Sequence, residues 1–381
     1  MRLLFVMLIL LAATPQVSAA TLRVCGQCDF TTISDAIAAS TNGDTILIES
    51  GIYRENLVIQ KSLRILGDGA VIEPEFRHLP VISVFGVDSF SLEGVEIKNG
   101  SVGMEIRFVN NLSIKKSSFF NNFEGIKAFS IGSGRLEGLS FSGFFTGVSL
   151  EDSSLEIENS SFEGGAIAIA AESSRGVKLR NLEINTSNGI ELNGGEENLI
   201  ENCRFDGDAF IHAMSESRLI VGKNDVRGVY AVDDASLSNT YVFDGVNVSG
   251  ENFQISVVNL KMPDGFVQYG SILNVTINPS IYDGKGSVYF ELNLEESEDF
   301  EKTLAIYRFD GAQLKLASDY YNGSEFMPLS YSSNESGVFV LAASKGAPIP
   351  HPHLPEKPTP GFEALATIIA IAVTIALRRR V

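Results

Sequence analysis

The chain has no tryptophan, four histidines and three cysteines in 381 residues. Without indole rings, any sugar-stacking platform must be built from Phe or Tyr. Four histidines leave little imidazole for a metal centre or an acid–base pair. Two of them, His351 and His353, sit in a proline-rich tract and read as linker. Basic residues are also scarce. Lys and Arg number 29 against 47 Asp and Glu, a formal charge of −18 that argues against nucleic acid as a partner. The apolar spacing of 3.6 that marks amphipathic helices is missing from the body of the chain. With 35 glycines, this excludes a helical solenoid.

What is present is a six-residue cassette. Its first positions are Leu92, Ile114, Leu136, Ile157, Leu179, Ile200, Val221 and Phe243, at intervals of 21 or 22 residues. A fixed period of this length signals a stacked solenoid. The first and sixth columns are apolar and point inward; the sixth runs Ile97, Phe119, Phe141, Phe162, Ile184, Phe205, Val226, Val248. The fourth column is mixed, including Ser117, Ser160 and Cys203, and we expect Cys203 to be a buried thiol. The second column alternates in sign as Glu93–Lys115–Glu137 and Glu158–Arg180–Glu201, which predicts cross-strand ion pairs on the outside. The third column is rich in Gly and Asn, the residues that tolerate a left-handed bend. A second short apolar strand follows each cassette. These features predict a right-handed parallel β-helix of about eight regular rungs, with looser turns before them. The stack Asn159, Asn181, Asn202 resembles the asparagine ladder of pectate-lyase-type β-helices.

The segment before the rungs reads as a cap. A short amphipathic helix is expected over 33–40 and a strand over 45–48, covering strand edges that would otherwise be open. The motif Gly51-Ile52-Tyr53-Arg54-Glu55 resembles the GxYxE element of the pectin-lyase-like superfamily, which includes pectin methylesterases. That resemblance implies the fold more than an activity, since many non-enzymatic β-helices share the element. Residues 73–80 read as a polar loop carrying Arg77 and His78. After about residue 254 the period gives way to alternating strands with Asp-Gly and Asn-Gly turns, which predicts a small antiparallel β-sandwich.

Both termini read as sorting signals. Residues 1–20 have a basic start, an apolar run and a small-residue exit, as in a secretory signal peptide. Residues 346–362 form a proline-rich stalk, and 363–381 an apolar tail ending in three arginines. The order Pro360-Gly361-Phe362, apolar run, arginine triplet resembles the PGF-CTERM tails of archaeal surface proteins. The resemblance implies a sorting peptidase and replacement of the tail by a lipid anchor; a plain membrane anchor is the alternative. The expected domains are thus leader 1–20, β-helix 21–256, β-sandwich-like unit 257–345, stalk 346–362 and tail 363–381.

Cys25 and Cys28, just past the leader, are expected to form a disulfide in an exported protein. Sequons at Asn99, Asn111, Asn185, Asn247, Asn274, Asn322 and Asn334 are glycosylation candidates, whereas Asn159 belongs to the ladder. Asp206 and Asp208, near Arg204, His212 and Asp225, are the best candidates for a metal, and carboxylate oxygens would suit calcium. No other cofactor is expected. Asp233 and Asp234 form a weaker acidic pair. The Asp-rich, Arg-containing catalytic motifs of pectin methylesterases and the Asp clusters of polygalacturonases are missing.

Three functions follow. The first is a surface-anchored β-helix that binds a polysaccharide, a surface glycoprotein or another envelope component without chemistry. The second is a polysaccharide lyase, hydrolase or esterase with non-standard catalytic residues. The third is a metal-handling β-helix similar to copper-site maturation proteins of like fold.

Overall fold

A computed structural model describes residues 19–344, apart from 196, 207–209, 215–217, 223–224, 227–229, 235–239, 244–245, 252, 259, 278–286, 293–303, 312 and 319–329. The expected columns are physical stacks. On the first face, Leu92 pairs in parallel register with Ile114, then Leu136, Ile157, Leu179, Ile200, Val221 and Phe243. The stack continues backwards through Ile65, Ile46 and Leu22. The second face aligns Ile72, Ile97, Phe119, Phe141, Phe162, Ile184, Phe205 and Val226. The third aligns Leu57, Ile82, Met104, Ile126, Val148, Ile169, Ile190 and Ile211. The result is a parallel β-solenoid of about nine turns.

These columns are the core. Leu92, Ile114, Leu136, Ile157 and Ile200 are fully buried. Phe119, Phe141 and Phe162 stack face to face at 4.9 and 4.7 Å between centroids. The bends fall on the third column: Gly94, Lys116, Gly138, Asn159, Asn181 and Asn202 all have φ between +46° and +74°. Directly after alternate bends, those at Lys116, Asn159 and Asn202, a small polar side chain turns inward, and the serines bond two neighbouring turns. Ser160 Oγ donates to Glu158 O at 2.8 Å and accepts from Leu139 N at 3.1 Å. Ser117 repeats the arrangement two turns earlier with Lys115 O and Val95 N. Cys203 occupies the equivalent place two turns later, fully buried, with its thiol pushed up to about 12 by desolvation. The asparagine ladder stands on the outside. Asn159 and Asn181 are exposed, and Asn181 Nδ2 donates to Asn159 Oδ1 at 3.1 Å.

The N-terminal helix, Ile33–Ala39, covers the end of the stack with Ile33, Ala36 and Ile37 buried. Seven residues are too few to hold a helix unaided. Both ends are capped by side chains of the first turns. Glu55 accepts from the amides of Ile33 and Ser34, each at 2.8 Å. Lys61 Nζ donates to the carbonyls of Ile37, Ala38 and Ser40 at 2.7–3.0 Å.

The eighth cassette is not a parallel rung. Thr240–Phe243 still pairs in parallel with Arg218–Gly222, but Val246–Glu251 folds back antiparallel on it. An apolar sixth position is shared by a hairpin partner and a rung, so the period alone does not separate them. The third face likewise ends when Phe253–Val257 pairs antiparallel with Tyr230–Asp234. Both faces then run on as small antiparallel sheets through Phe266–Ile277, Ser287–Leu292, Leu304–Asp310, Gln313–Leu316, Ser330–Ser333 and Gly337–Ser344. A second cluster of apolar residues, centred on Tyr307 and Val340, fills this region. The first- and third-face edges of the last solenoid turn are thereby paired.

Candidate functional site

The GxYxE element is structural. Tyr53 Oη donates to Val24 O and Glu49 O at 3.2 and 3.0 Å, and the Glu55 carboxylate is taken up by the helix cap. Ile52 and Arg54 of the motif are exposed, and Arg54 pairs with Glu73 at 3.3 Å.

The open surface lies on the first face. The outward positions flanking the core column run Arg64, Ser91, Ser113, Arg135 in register. Beside them, at the corner leading into this face, stand Ser62, Ser89, Asn111 and Ser133. Two small serines between two arginines leave a trough three rungs long, about 14 Å at the usual strand spacing. The trough encloses about 540 Å³. Its lining is mostly apolar and carries the hydroxyls of Ser62, Ser89, Ser91, Ser113 and Ser133 and the amide of Asn111, which act as donors or acceptors according to need. They also bond one another along the axis: Ser133 Oγ donates to Asn110 O at 3.2 Å, and Ser89 N donates to Ser62 Oγ at 3.2 Å. A smaller recess of about 420 Å³ lies around the next corner, between Glu96, Lys116 and Ser118.

The trough ends in a charge network. Arg135 contacts Glu137, Glu156 and Glu158, and Arg180 bridges Glu156 and Glu201 at 2.5 Å each. Hydrogen bonding to Glu158 raises the Arg135 guanidinium above its ordinary value, and bonding to Glu201 does the same for Arg180. Two expected pairings are corrected here. Glu158 takes Arg135 rather than Arg180, and Glu93 takes Lys116 at 3.0 Å rather than Lys115. Long side chains reach diagonally, so the straight column misassigned the partners. Lys115–Glu137 forms as expected, at 3.0 Å. A glycosidase acid needs its carboxyl raised. Among the described residues, the carboxyls that shift are held down: Glu93 by a hydrogen bond from Lys116, Glu137 by one from Lys115, Asp44 by the amides of Ala20 and Thr41, and Asp310 by Lys315.

Asp206 pairs with Arg204 at 3.0 Å, and Asp208 lies outside the described residues. Arg204 stacks in register between Glu183 and Asp225. His212 is on the third face in register with Glu191. Cys25 and Cys28 are joined as a disulfide. Asn111, Asn185 and Asn334 are exposed; Asn99 and Asn274 are half-buried. The Asn247 side chain, Asn322 and the motif Pro360, Gly361, Phe362 lie outside the described residues. Among the described residues, no helix is long and apolar enough to cross a membrane. The sequence reading missed the trough, although Ser91 and Ser113 sit immediately before the cassette. Their signal is two small residues where later turns carry Arg135, Glu156 and Lys178.

Fold and surface together define a parallel β-helix with an open trough along its axis. The chain belongs to the NosD family: residues 40–253 match the family described as periplasmic copper-binding protein (NosD). No curated protein matches it. Among solved structures it is similar to an alginate lyase from Paenibacillus sp. str. FPU-7, with 12% identity and a TM-score of 0.42 over 55% of this chain and 95% of that one. PfbA, a surface adhesin of Streptococcus pneumoniae, gives 12% and 0.30 over 57% and 68%. A pectin methylesterase from Aspergillus niger gives 16% and 0.29 over 58% and 85%. At such identities the likeness concerns the fold alone.

The family description implies copper, whose preferred ligands are thiolate, thioether and imidazole. Among the described residues, three ligand-bearing side chains converge at Cys25, Cys28 and Glu49. There the two sulfurs are bonded to each other, so neither is a thiolate. Cys203 is a buried neutral thiol, and Met104 is fully enclosed in the core. The described residues do not fit a copper ion.

Proposed function

We propose that this protein is an exported, surface-tethered β-helix that binds a polysaccharide along its first face without transforming it. The observation that carries this is the trough between Arg64 and Arg135, floored by Ser91 and Ser113. Serine hydroxyls and the Asn111 amide set in a mostly apolar lining match a ligand that presents hydroxyl groups around C–H faces. A solenoid also repeats its outward groups along the axis, as a polymer repeats its own along its length. Residues 1–20 direct export, and the proline-rich stalk with Pro360-Gly361-Phe362 and the arginine-ended tail tethers the body outside the cell, after the manner of an archaeal PGF-CTERM protein. On this reading the exposed sequons Asn185 and Asn334 are the foremost glycan acceptors.

Catalysis is the second reading, favoured by the Glu137, Glu156 and Arg135 cluster beside the trough. Its carboxylates form ion pairs with Arg135, and that of Glu137 is held down by a hydrogen bond from Lys115. The purified protein should retard at least one polysaccharide in affinity electrophoresis and release neither reducing nor unsaturated ends from it. Release of either would establish the enzyme in place of the binding module.

A further inference from the structure

The second surface of interest is the corner between the second and third faces. Phe120, Phe123 and Phe145 are 51%, 60% and 49% exposed there. Phe123 and Phe145 lie one turn apart, their rings parallel within 6° at 5.2 Å. The repeat supplies its own control for what the fold requires. At the Phe120 position, neighbouring turns carry Lys98, Ser142 and Glu163 in register. At the corner position just ahead of the third-face strands, they carry Ser101 and Ala166. The solenoid therefore accepts polar or small residues at both places. Three exposed phenylalanines on one edge serve something outside the fold.

The geometry of the pair suggests what that is. Two stacked rings cover each other's inner faces and leave one outer face each. Ser101 and Ala166 are too short to cover those faces, so a flat ring can extend the stack at either end. An amide column runs alongside: Asn121 Nδ2 donates to Asn99 Oδ1 at 3.1 Å, and Gly143 follows in the same column. An aromatic face next to uncharged amides suits the C–H face and hydroxyl rim of a pyranose. A second copy of this chain is disfavoured, because two bodies of charge −18 repel.

We propose that Phe123 and Phe145 form a second carbohydrate site, a stacking platform for a neutral sugar ring. It lies on a different edge from the trough and does not depend on it. The rod would then hold two glycan segments at once and gain affinity for networks by linkage.

The absence of tryptophan makes a direct test available. Phe145→Trp introduces the one indole of the protein. Titration with neutral β-1,4-linked gluco-, manno- and galacto-hexaoses should quench or shift its emission with at least one of them. Phe123→Ala/Phe145→Ala should weaken binding of that hexaose at least tenfold by calorimetry, with an unchanged far-ultraviolet spectrum. Ser113→Tyr, which fills the trough, should leave the indole response intact, so failure of the trough and failure of the platform give different results. An indole blind to all three sugars, equal affinity in the double alanine variant, or concentration-dependent self-association abolished by that variant would overturn the proposal.

Discussion

Glu55 and Ser34 are bound twice: Oε2 of the glutamate accepts from the serine amide at 2.8 Å and from its hydroxyl at 2.5 Å. A motif that resembles part of an enzyme family thus spends its acid on the positive end of a seven-residue helix. Glu55→Ala should cost about 1 kcal/mol, the usual worth of an N-terminal cap. Thermal unfolding should show the loss, and polysaccharide binding should be unaffected. Loss of binding with unchanged stability would return the motif to function.

Asp44 ties the entering chain to the solenoid. Its carboxylate accepts from Ala20 N and Thr41 N at 2.7 Å each and is 3% exposed. Those amides hold its carboxyl below the ordinary 3.8. A depressed value in the folded state means that the stabilisation is complete above the ordinary value and is lost as pH falls through the folded one. The melting temperature should therefore drop steeply below about pH 4. In protein that retains Ala20, Asp44→Asn should be less stable at neutral pH and show a flatter acid limb, which a melting series from pH 7 to 2 would measure.

Phe141 stacks on both Phe119 and Phe162 and is 1% exposed. Phe141→Ala should destabilise by about 3–5 kcal/mol through a cavity that rigid neighbouring turns cannot close. Ser160→Ala should cost about 1–3 kcal/mol, because it leaves Leu139 N without its acceptor. Urea unfolding compares the two directly.

Cys203 is enclosed and its thiol is held neutral, at about 12. A thiol-specific reagent at pH 8 should modify none of it in the folded protein and one equivalent after denaturation. Prompt labelling of the native chain would contradict the burial.

The regular body was legible because an inward column needs the same kind of residue at every turn. From Leu92 onward the intervals are even, and the structure aligns those same residues. Ile46, Ile65 and Leu92 belong to the stack too, yet they are 19 and 27 residues apart, and the loop over 74–80 hides the relation. The end of the solenoid was misplaced by one copy, since Val246 and Val248 satisfy a hairpin and a rung alike. The outside was harder to read. Arg135 finds Glu158 on the next turn by a diagonal that no column contains. Ser91 and Ser113 carry no chemistry of their own; they matter for the room they leave between larger neighbours. Phe123 and Phe145 fall outside the inward columns, and their exposure on one edge shows only once the corner is built.

The most direct test fills the trough. Ser91→Tyr/Ser113→Tyr places two rings where the floor is now open, at outward positions where larger side chains are accommodated on later turns. Binding of wild-type and variant protein to the same retained polysaccharide should be compared by calorimetry, with melting temperature as the control. The expected result is at least a tenfold loss of affinity with the melting temperature unchanged. Undiminished binding by the filled variant would contradict a polysaccharide site on the first face.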